Sequence, residues 1–228
     1  MRKKKNLKSR WATVSSGRLA EDPAQYRGRW LSLYPPAKAL FVELGCGKGR
    51  FLCEWAGRRP DILFVGLERT PEALLMTMEK AAARGLHNIR FISGDAAAIC
   101  DLFAPGEIDR LFVNFCDPWP SNKRAKRRLT HRNFLRLYRV VLRPEGELHF
   151  KTDNRPLFDF SVSEVEAVGA QLLRHSVNWH DDPDYPGEDV MTEYEEKFSS
   201  QGVPICRCVC RLADGTTPED SENTAGTA

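Results

Sequence analysis

The chain has 228 residues, of which 42% are hydrophobic and 29% are charged, and its formal net charge is +3. This length and composition suit a soluble globular protein of one domain with a sizeable core. They exclude a membrane-spanning protein, because no apolar run approaches the about 20 residues that a span needs. The basic residues 2–10 precede no apolar segment of a secretion signal, so we expect a cytoplasmic protein without a membrane partner.

Apolar runs alternate with helical patterns along most of the chain. Strands are predicted over residues 39–43, 62–67, 89–92, 108–115 and 147–151. Helices are predicted over 49–58 and 71–84 and near 96–103 and 130–142, and Thr70 and Pro71 suit the cap and first position of the second helix. Two last strands are predicted over 170–179 and 203–212, joined by a loop from His180. The alternation predicts an α/β fold with a mainly parallel sheet and helices on both faces.

A glycine-rich turn follows the first predicted strand, with the sequence Glu43-Leu-Gly45-Cys-Gly47-Lys-Gly49. A dinucleotide-binding turn would need a glycine at the position of Arg50, so a nicotinamide cofactor is disfavoured. Glu68 and Asp95 stand at the ends of the next two strands. Ligands of such sheets bind beyond the carboxyl ends of the strands. Three carboxylates there suit a ligand that carries an amine and a ribose diol, as S-adenosylmethionine does.

The fourth predicted strand runs into Asn114-Phe-Cys-Asp117-Pro-Trp119-Pro, and six lysines or arginines follow among residues 123–132. A carboxylate and a rigid aromatic residue beside a basic run suit a pocket for a base next to a surface for phosphates. A solvated surface is the alternative explanation of the basic run, and Trp119 either stacks on a base or walls the pocket. The combination indicates chemistry on a nucleic acid.

These motifs, in this order, resemble the bacterial tRNA (guanine-N7)-methyltransferases over about residues 39–212. The residues that carry the resemblance are the glycine turn, Gly66-Leu-Glu68, Gly94-Asp95-Ala96, Asp117-Pro-Trp-Pro, Phe150-Lys-Thr-Asp153-Asn154 and Thr192-Glu193-Tyr194-Glu195-x-Lys-Phe198. The resemblance implies a class I methyltransferase (Rossmann-like) fold, with seven strands of which one is antiparallel. It also implies methylation of N7 of the variable-loop guanine of tRNA, with S-adenosylmethionine as cofactor.

The resemblance assigns roles to named residues. The implied cofactor-binding residues are Glu43, Gly45, Gly47, Glu68, Asp95 and Asp117, and Asp117 is also the implied catalytic residue. The implied substrate-binding residues are Ser121, Asp153, Thr192, Glu193, Tyr194 and Glu195. The implied RNA-binding residues are Lys123, Arg124, Ala125, Lys126, Arg127 and Arg128. Single acids of this kind also cap helices or lie in solvated turns, which is the alternative for each.

The chemistry of guanine N7 limits what a catalytic carboxylate has to do. N7 carries a free lone pair, so its methylation requires no general base. Positive charge develops on the purine instead, and a fixed carboxylate stabilises it or orients the base. Ser121 stands where the family commonly has lysine, and Lys123 is a candidate to replace that contact.

Two other classes of protein remain open at this point. A non-catalytic RNA-binding module would keep the basic run without needing acids at three strand ends. A small-molecule methyltransferase would keep the acids without the basic run. We expect tRNA as partner and a monomer or homodimer.

The remaining expectations concern the cysteines and the two ends of the chain. Cys206, Cys208 and Cys210 alternate in the last predicted strand, and small core side chains explain them better than a zinc site, so we predict no metal. Residues 1–30 are predicted to form a basic, partly flexible arm that contacts RNA or aids solubility. Residues 31–212 are the predicted methyltransferase domain, and residues 213–228 a disordered tail.

Overall fold

The computed structural model describes residues 7–184 and 190–212, with side chains from residue 9 onward. Seven strands form one sheet: β1 Ala39–Leu44, β2 Ile62–Glu68, β3 Ile89–Ser93, β4 Ile108–Asn114, β5 Leu142–Thr152, β6 Gln171–Ser176 and β7 Cys206–Arg211. The helices are α1 Leu7–Ser15, α2 Arg50–Arg58, α3 Pro71–Ala83, α4 Ile99–Leu102, α5 Arg132–Val141, α6 Arg155–Ala167 and α7 Glu193–Ser199.

The strand order across the sheet is β3-β2-β1-β4-β5-β7-β6. The first five of these strands run parallel, and β7 is antiparallel to both of its neighbours. The predicted mainly parallel, seven-stranded α/β fold is therefore confirmed. The direction of winding reverses between β1 and β4, and ligands of open α/β sheets bind at the carboxyl ends of strands beside such a reversal.

Apolar side chains cover both faces of the sheet, which is why the central strands are continuous apolar runs. One core lies between the sheet and helices α4, α5 and α6, and the other lies between the sheet and helices α2 and α3. Cys206, Cys208 and Cys210 are buried in the first core. The prediction that these three cysteines fill the core is confirmed.

Three helices were not predicted from the sequence: α1, α6 and α7. Helix α6 has an ordinary start signal, because the Asn154 side chain accepts a hydrogen bond from the Leu157 amide and a proline opens the helix. Helix α7, at residues 193–199, lies between the predicted loop from His180 and the last predicted strand. Thr70 occupies the predicted cap position of α3, but its side chain makes no capping hydrogen bond.

Residues 7–30 pack against the body of the fold. Arg10 forms an ion pair with Glu79 of α3 at 2.6 Å, Leu19 bridges to Phe91 of β3, and the Trp30 side chain is buried. Residues 1–6 and 213–228 lie outside the described residues. The predicted domain boundaries at residues 30 and 212 stay predictions. No helix within 7–184 or 190–212 combines the length and the apolar character that crossing a membrane requires.

Candidate functional site

A cavity of about 680 Å³ opens at the carboxyl edge of the sheet, where the turns after β1, β2, β3 and β4 meet. We call it the edge cavity. Its lining includes Gly45, Gly47, Glu68, Asp95 and Asp117. The structure therefore brings five of the six predicted cofactor-binding residues to one place, beside the reversal in strand order.

The glycine turn after β1 requires glycine for reasons of space and backbone conformation. Gly45, Gly47 and Gly49 have φ angles of 74°, 53° and 72°, a region that residues with a side chain rarely adopt. A Cβ atom on Gly49 would lie 2.1 Å from Cγ2 of Thr77. The Thr77 hydroxyl donates to the Gly47 carbonyl at 2.6 Å and fixes the turn to α3.

Glu68 is held in place by backbone amides at the end of β2. Its Oε2 accepts from the Gly47 amide at 3.0 Å, and its Oε1 accepts from the Thr70 amide at 2.7 Å. A carboxylate oxygen can accept more than one hydrogen bond. Glu68 therefore joins two turns of the edge cavity and keeps acceptor capacity toward it.

Glu43 lies behind the cavity wall, buried beside Asn114, which does line the cavity. Asn114 Nδ2 donates to Glu43 Oε1 at 2.8 Å. Glu43 Oε2 and Asn114 Oδ1 are buried without a hydrogen-bond partner among the described residues. Burial raises the pKa of Glu43 to about 8, against the opposing effects of the Asn114 hydrogen bond and the charge of Lys151. Buried acceptors without partners call for a donor, so these two oxygens are candidates to accept a hydrogen bond from a ligand.

Asp95 follows β3 and has a structural role as well as a place in the lining. Its Oδ1 accepts from the Ala97 amide at 2.9 Å and caps the short helix Ala96–Ala98. The capping alternative and the binding role are compatible here, because the side chain is exposed and lines the edge cavity.

Asp117 stands at the mouth of the edge cavity, with 65% of its side chain exposed. Its Oδ2 lies 3.3 Å from Nη2 of Arg69, which also lines the cavity. Phe115 and Trp119, on either side of Asp117, have φ angles of 51° and 40°. Such left-handed backbone costs free energy in residues other than glycine, and it concentrates at functional sites.

The Arg128 side chain holds the loop around Asp117 in place by hydrogen bonds to its backbone. Its Nε donates to the Pro118 carbonyl at 3.0 Å, and its Nη2 donates to the Trp119 carbonyl at 3.0 Å. Its guanidinium lies 4.2 Å from the centre of the Phe160 ring, and only 8% of the residue is exposed. The burial of Arg128 and its hydrogen bonds to the loop indicate a structural role, and its predicted RNA contact stays a prediction.

The other predicted RNA-binding residues lie on the short helix Asn122–Arg127. Lys123, Arg124, Lys126 and Arg127 are exposed, and Ala125 is half-buried. Arg124 and Arg127 lie 5.8 and 4.9 Å from the centre of the Trp119 ring, and Lys126 and Arg127 line the edge cavity. Ser121 is exposed at the start of this helix. Lys126 and Arg127 therefore lie at the cavity, and Arg124 and Arg127 lie beside one aromatic ring.

The predicted substrate-binding residues 192–195 form the N-terminus of α7, with a capping box between Thr192 and Glu195. Glu195 is fully buried, 3.2 Å from Lys151 Nζ and 2.9 Å from His180 Nε2. Glu193 forms an ion pair with Lys80 at 2.6 Å. The surface-turn alternative for these residues is therefore wrong, and the two carboxylates stabilise α7 through cations outside the edge cavity.

Tyr194 is the member of this cluster that lines the edge cavity. Its side chain is exposed, and its ring stacks on Phe115 with 6.3 Å between ring centres. Asp153 follows β5, is half-buried, and lies outside the cavity lining.

Sequence reasoning missed Asn114, Arg69 and Thr77. A polar residue that ends an apolar strand was the available signal for Asn114. Arg69 and Thr77 carry no pattern of their own, because their contacts depend on how the turns meet in space.

The comparisons with known proteins agree with this geometry. The model of the family described as "Putative methyltransferase" matches residues 37–208. The chain is 42% identical to the tRNA (guanine-N7)-methyltransferase of Clostridioides difficile strain 630 over 207 residues, covering 91% of this chain and 96% of that protein. It is 40% identical to the enzyme of that name from Lactococcus lactis subsp. cremoris strain MG1363 over 189 residues, covering 83% and 87%.

A solved structure shows the same fold at lower identity. It is a variant of the 16S rRNA (adenine-1408-N1)-methyltransferase of Catenulisporales acidiphilia with its cosubstrate S-adenosylmethionine. The TM-score is 0.59 at 15% identity, with 86% of this chain and 93% of that chain covered.

Proposed function

The chain belongs to the tRNA (guanine-N7)-methyltransferase family and methylates N7 of a guanine in tRNA with S-adenosylmethionine, and we propose which residues carry out this reaction. The single observation that carries the proposal is the edge cavity, where acids from successive strand ends meet exposed cations at one opening. A small-molecule methyltransferase has no need of these cations, and a non-catalytic RNA-binding module has no need of these acids. We propose the variable-loop guanine as the target.

The cofactor fits the edge cavity by the chemistry of its walls. Glu68 accepts from the ribose hydroxyls, and Asp95 lies on the adenine side. Glu43 and Asn114 accept from the amine through their buried oxygens that lack partners. Gly45 and Gly47 let the backbone approach the ligand closely. When bound, S-adenosylmethionine supplies an electrophilic methyl group on a sulfonium.

The first prediction concerns Glu68. We expect Glu68→Ala to weaken cofactor binding by about 1 to 3 kcal/mol, because hydrogen bonds to a charged acceptor are removed. Titration calorimetry with S-adenosylhomocysteine measures the change. Glu72→Ala, an exposed acid in the first turn of α3, is the matched control. Unchanged affinity in a folded Glu68→Ala protein would contradict the ribose role.

We propose that Asp117 acts by charge and position at the mouth of the cavity. No proton has to leave N7, so Asp117 is not a base. Its carboxylate stabilises the positive charge that develops on the purine or accepts from the guanine N–H groups. Arg69 keeps Asp117 paired in this structure, and guanine binding replaces that contact.

The target base has to leave its stack, since side chains cannot read N7 in the deep major groove of A-form RNA. We propose that Lys123, Arg124, Lys126 and Arg127 hold the surrounding phosphates, while Trp119 and Tyr194 provide aromatic surfaces for the base. Ser121 is exposed outside the edge-cavity lining, and we propose that Lys123 makes the contact expected of the family's lysine. Arg128 positions the Trp119 loop, and Thr192, Glu193 and Glu195 position Tyr194.

The second prediction separates these roles. We expect Lys126→Ala with Arg127→Ala to weaken tRNA binding and to flatten the plot of log affinity against log salt, by about one released ion for each lost phosphate contact. Cofactor affinity should stay unchanged. Arg128→Ala should instead lower the melting temperature and turnover without changing the salt slope. If the plot of log affinity against log salt flattens in Arg128→Ala and not in the double variant, Arg128 contacts phosphate and Lys126 and Arg127 do not.

The proposed function has a direct test. Methyl transfer from labelled S-adenosylmethionine is measured on an unmodified tRNA transcript and on the same transcript with its variable-loop guanine changed to adenine. Transfer to the first transcript alone supports the target, and equal transfer to both overturns it. We propose that the domain of residues 31–212 works in the cytoplasm as a monomer or homodimer without a resident metal ion.

A further inference from the structure

A second cavity, of about 370 Å³, lies on the other side of the edge-cavity wall, between α2 and strands β4, β5 and β7. We call it the basic cavity. Its cationic residues are Arg58, Arg59, Arg110, Lys151 and Arg207. Asn114 lines both cavities, so they share a wall. The described residues that line the basic cavity include no carboxylate.

Strand alternation explains why a sheet face is basic here. On β4, Arg110, Phe112 and Asn114 point to the same face, and on β5 so do His149 and Lys151. The five strand residues from Arg110 to Asn114 are separated by four steps, which span about 13 Å. The cavity is therefore long enough for a phosphate and a ring system.

Aromatic rings form the inner wall. Phe51, Trp55 and Phe112 line the cavity, and the rings of Phe51 and Phe112 are 5.0 Å apart. The Trp55 Nε1 atom is buried without a hydrogen-bond partner among the described residues. Burial lowers the pKa of His149 to about 4, so that ring is neutral at pH 7 and adds to the wall.

Arg59 and Arg110 of the basic cavity keep N–H groups that can donate hydrogen bonds to a ligand. Arg110 reaches Glu147 through Nη2 at 3.1 Å, and Arg59 reaches Asp61 through Nε and Nη2. A guanidinium carries five N–H donors, so one carboxylate does not exhaust either arginine. Arg58 and Arg59 are exposed, and they give the cavity an entrance at the end of α2.

We propose that the basic cavity binds a nucleoside monophosphate group, with the phosphate on Arg59 and Arg110 and the base against Trp55. Cations with planar donor forks suit phosphate, and an aromatic wall suits any base. The group comes from a free nucleotide or from a nucleotide of the bound RNA. This binding is additional to methyl transfer, so it can fail while the proposed function stands.

The experiment uses adenosine monophosphate as probe and the full chain saturated with S-adenosylhomocysteine, so that the edge cavity is filled. Titration calorimetry should show binding to the wild type and at least tenfold weaker binding to Arg110→Gln and to Trp55→Leu, which removes the aromatic surface. Arg143→Gln is the matched control, because Arg143 pairs with Asp109 outside the cavity lining. If Arg110→Gln does not fold, Arg59→Gln at the rim replaces it.

The two sources of the nucleotide give different results. If the group belongs to RNA, adenosine monophosphate competes with tRNA, and Arg110→Gln weakens tRNA binding. If it is a free nucleotide, tRNA affinity stays unchanged while the probe still binds. Absence of probe binding at millimolar concentration, with equal tRNA affinity for Arg110→Gln and Arg143→Gln, overturns the proposal.

Discussion

Asp117→Asn is expected to slow methyl transfer about a hundredfold while the fold and most of the tRNA affinity remain. Asparagine keeps the shape of the side chain but removes the negative charge that faces the developing positive charge of the purine. Losing one such electrostatic contribution costs on the order of 3 kcal/mol in the transition state. Single-turnover kinetics at saturating tRNA and cofactor measure this loss, because they separate the chemical step from binding.

The matched control is Asp159→Asn, which removes an equally exposed carboxylate that pairs with Arg155 on the surface of α6. It should leave the single-turnover rate unchanged. Near-wild-type turnover of Asp117→Asn would make Asp117 structural.

Glu43→Gln is expected to stabilise the cofactor-free protein at alkaline pH. Folding raises the pKa of Glu43 from 4.5 to about 8 by burial. Between these values the native state binds more protons than the unfolded state, so the free energy of unfolding of the wild type falls as the pH rises. The contribution of the Glu43 titration to the free energy of unfolding is complete below pH 4.5 and is lost above about pH 8. One pKa unit corresponds to about 1.4 kcal/mol, so the variant should gain a few kcal/mol relative to the wild type.

Urea unfolding without cofactor at pH 5, 7 and 9 measures this difference. Glutamine keeps the oxygen that accepts from Asn114 but does not titrate, so the difference between variant and wild type should widen with pH. Glu54→Gln is the control, because Glu54 pairs with Arg84 on the surface. A difference that is the same at all three pH values would contradict the raised pKa.

The same substitution separates stability from function. A cationic amine in the edge cavity would favour the ionised form of Glu43, so Glu43→Gln should bind S-adenosylhomocysteine more weakly at pH 8 than the wild type does. If Glu43→Gln gains both stability and affinity for S-adenosylhomocysteine, Glu43 does not bind the amine of the cofactor.

The sequence alone determined the fold and the broad site. Residues 39–44, 62–68 and 89–93 are apolar strands that each lead to a carboxylate, and parallel strands bring such ends to one edge. That local pattern was enough to predict Glu68 and Asp95 of the edge cavity, whereas the role of Asp117 came from the family resemblance. It also predicted the buried cysteines of β7, because alternation in a strand fixes which face a side chain takes.

The contacts of each charged side chain depend on how the helices and turns pack. Arg127 and Arg128 are neighbours in one basic run, yet Arg127 is exposed beside Trp119 and Arg128 is buried under the loop. Glu193, Tyr194 and Glu195 look alike as candidates, yet the start of α7 turns Tyr194 to the cavity and Glu195 to Lys151. Charge and spacing along the chain do not encode these differences. They arise because partners far apart in sequence meet only when the helices pack, and burial then decides which donors remain for a ligand.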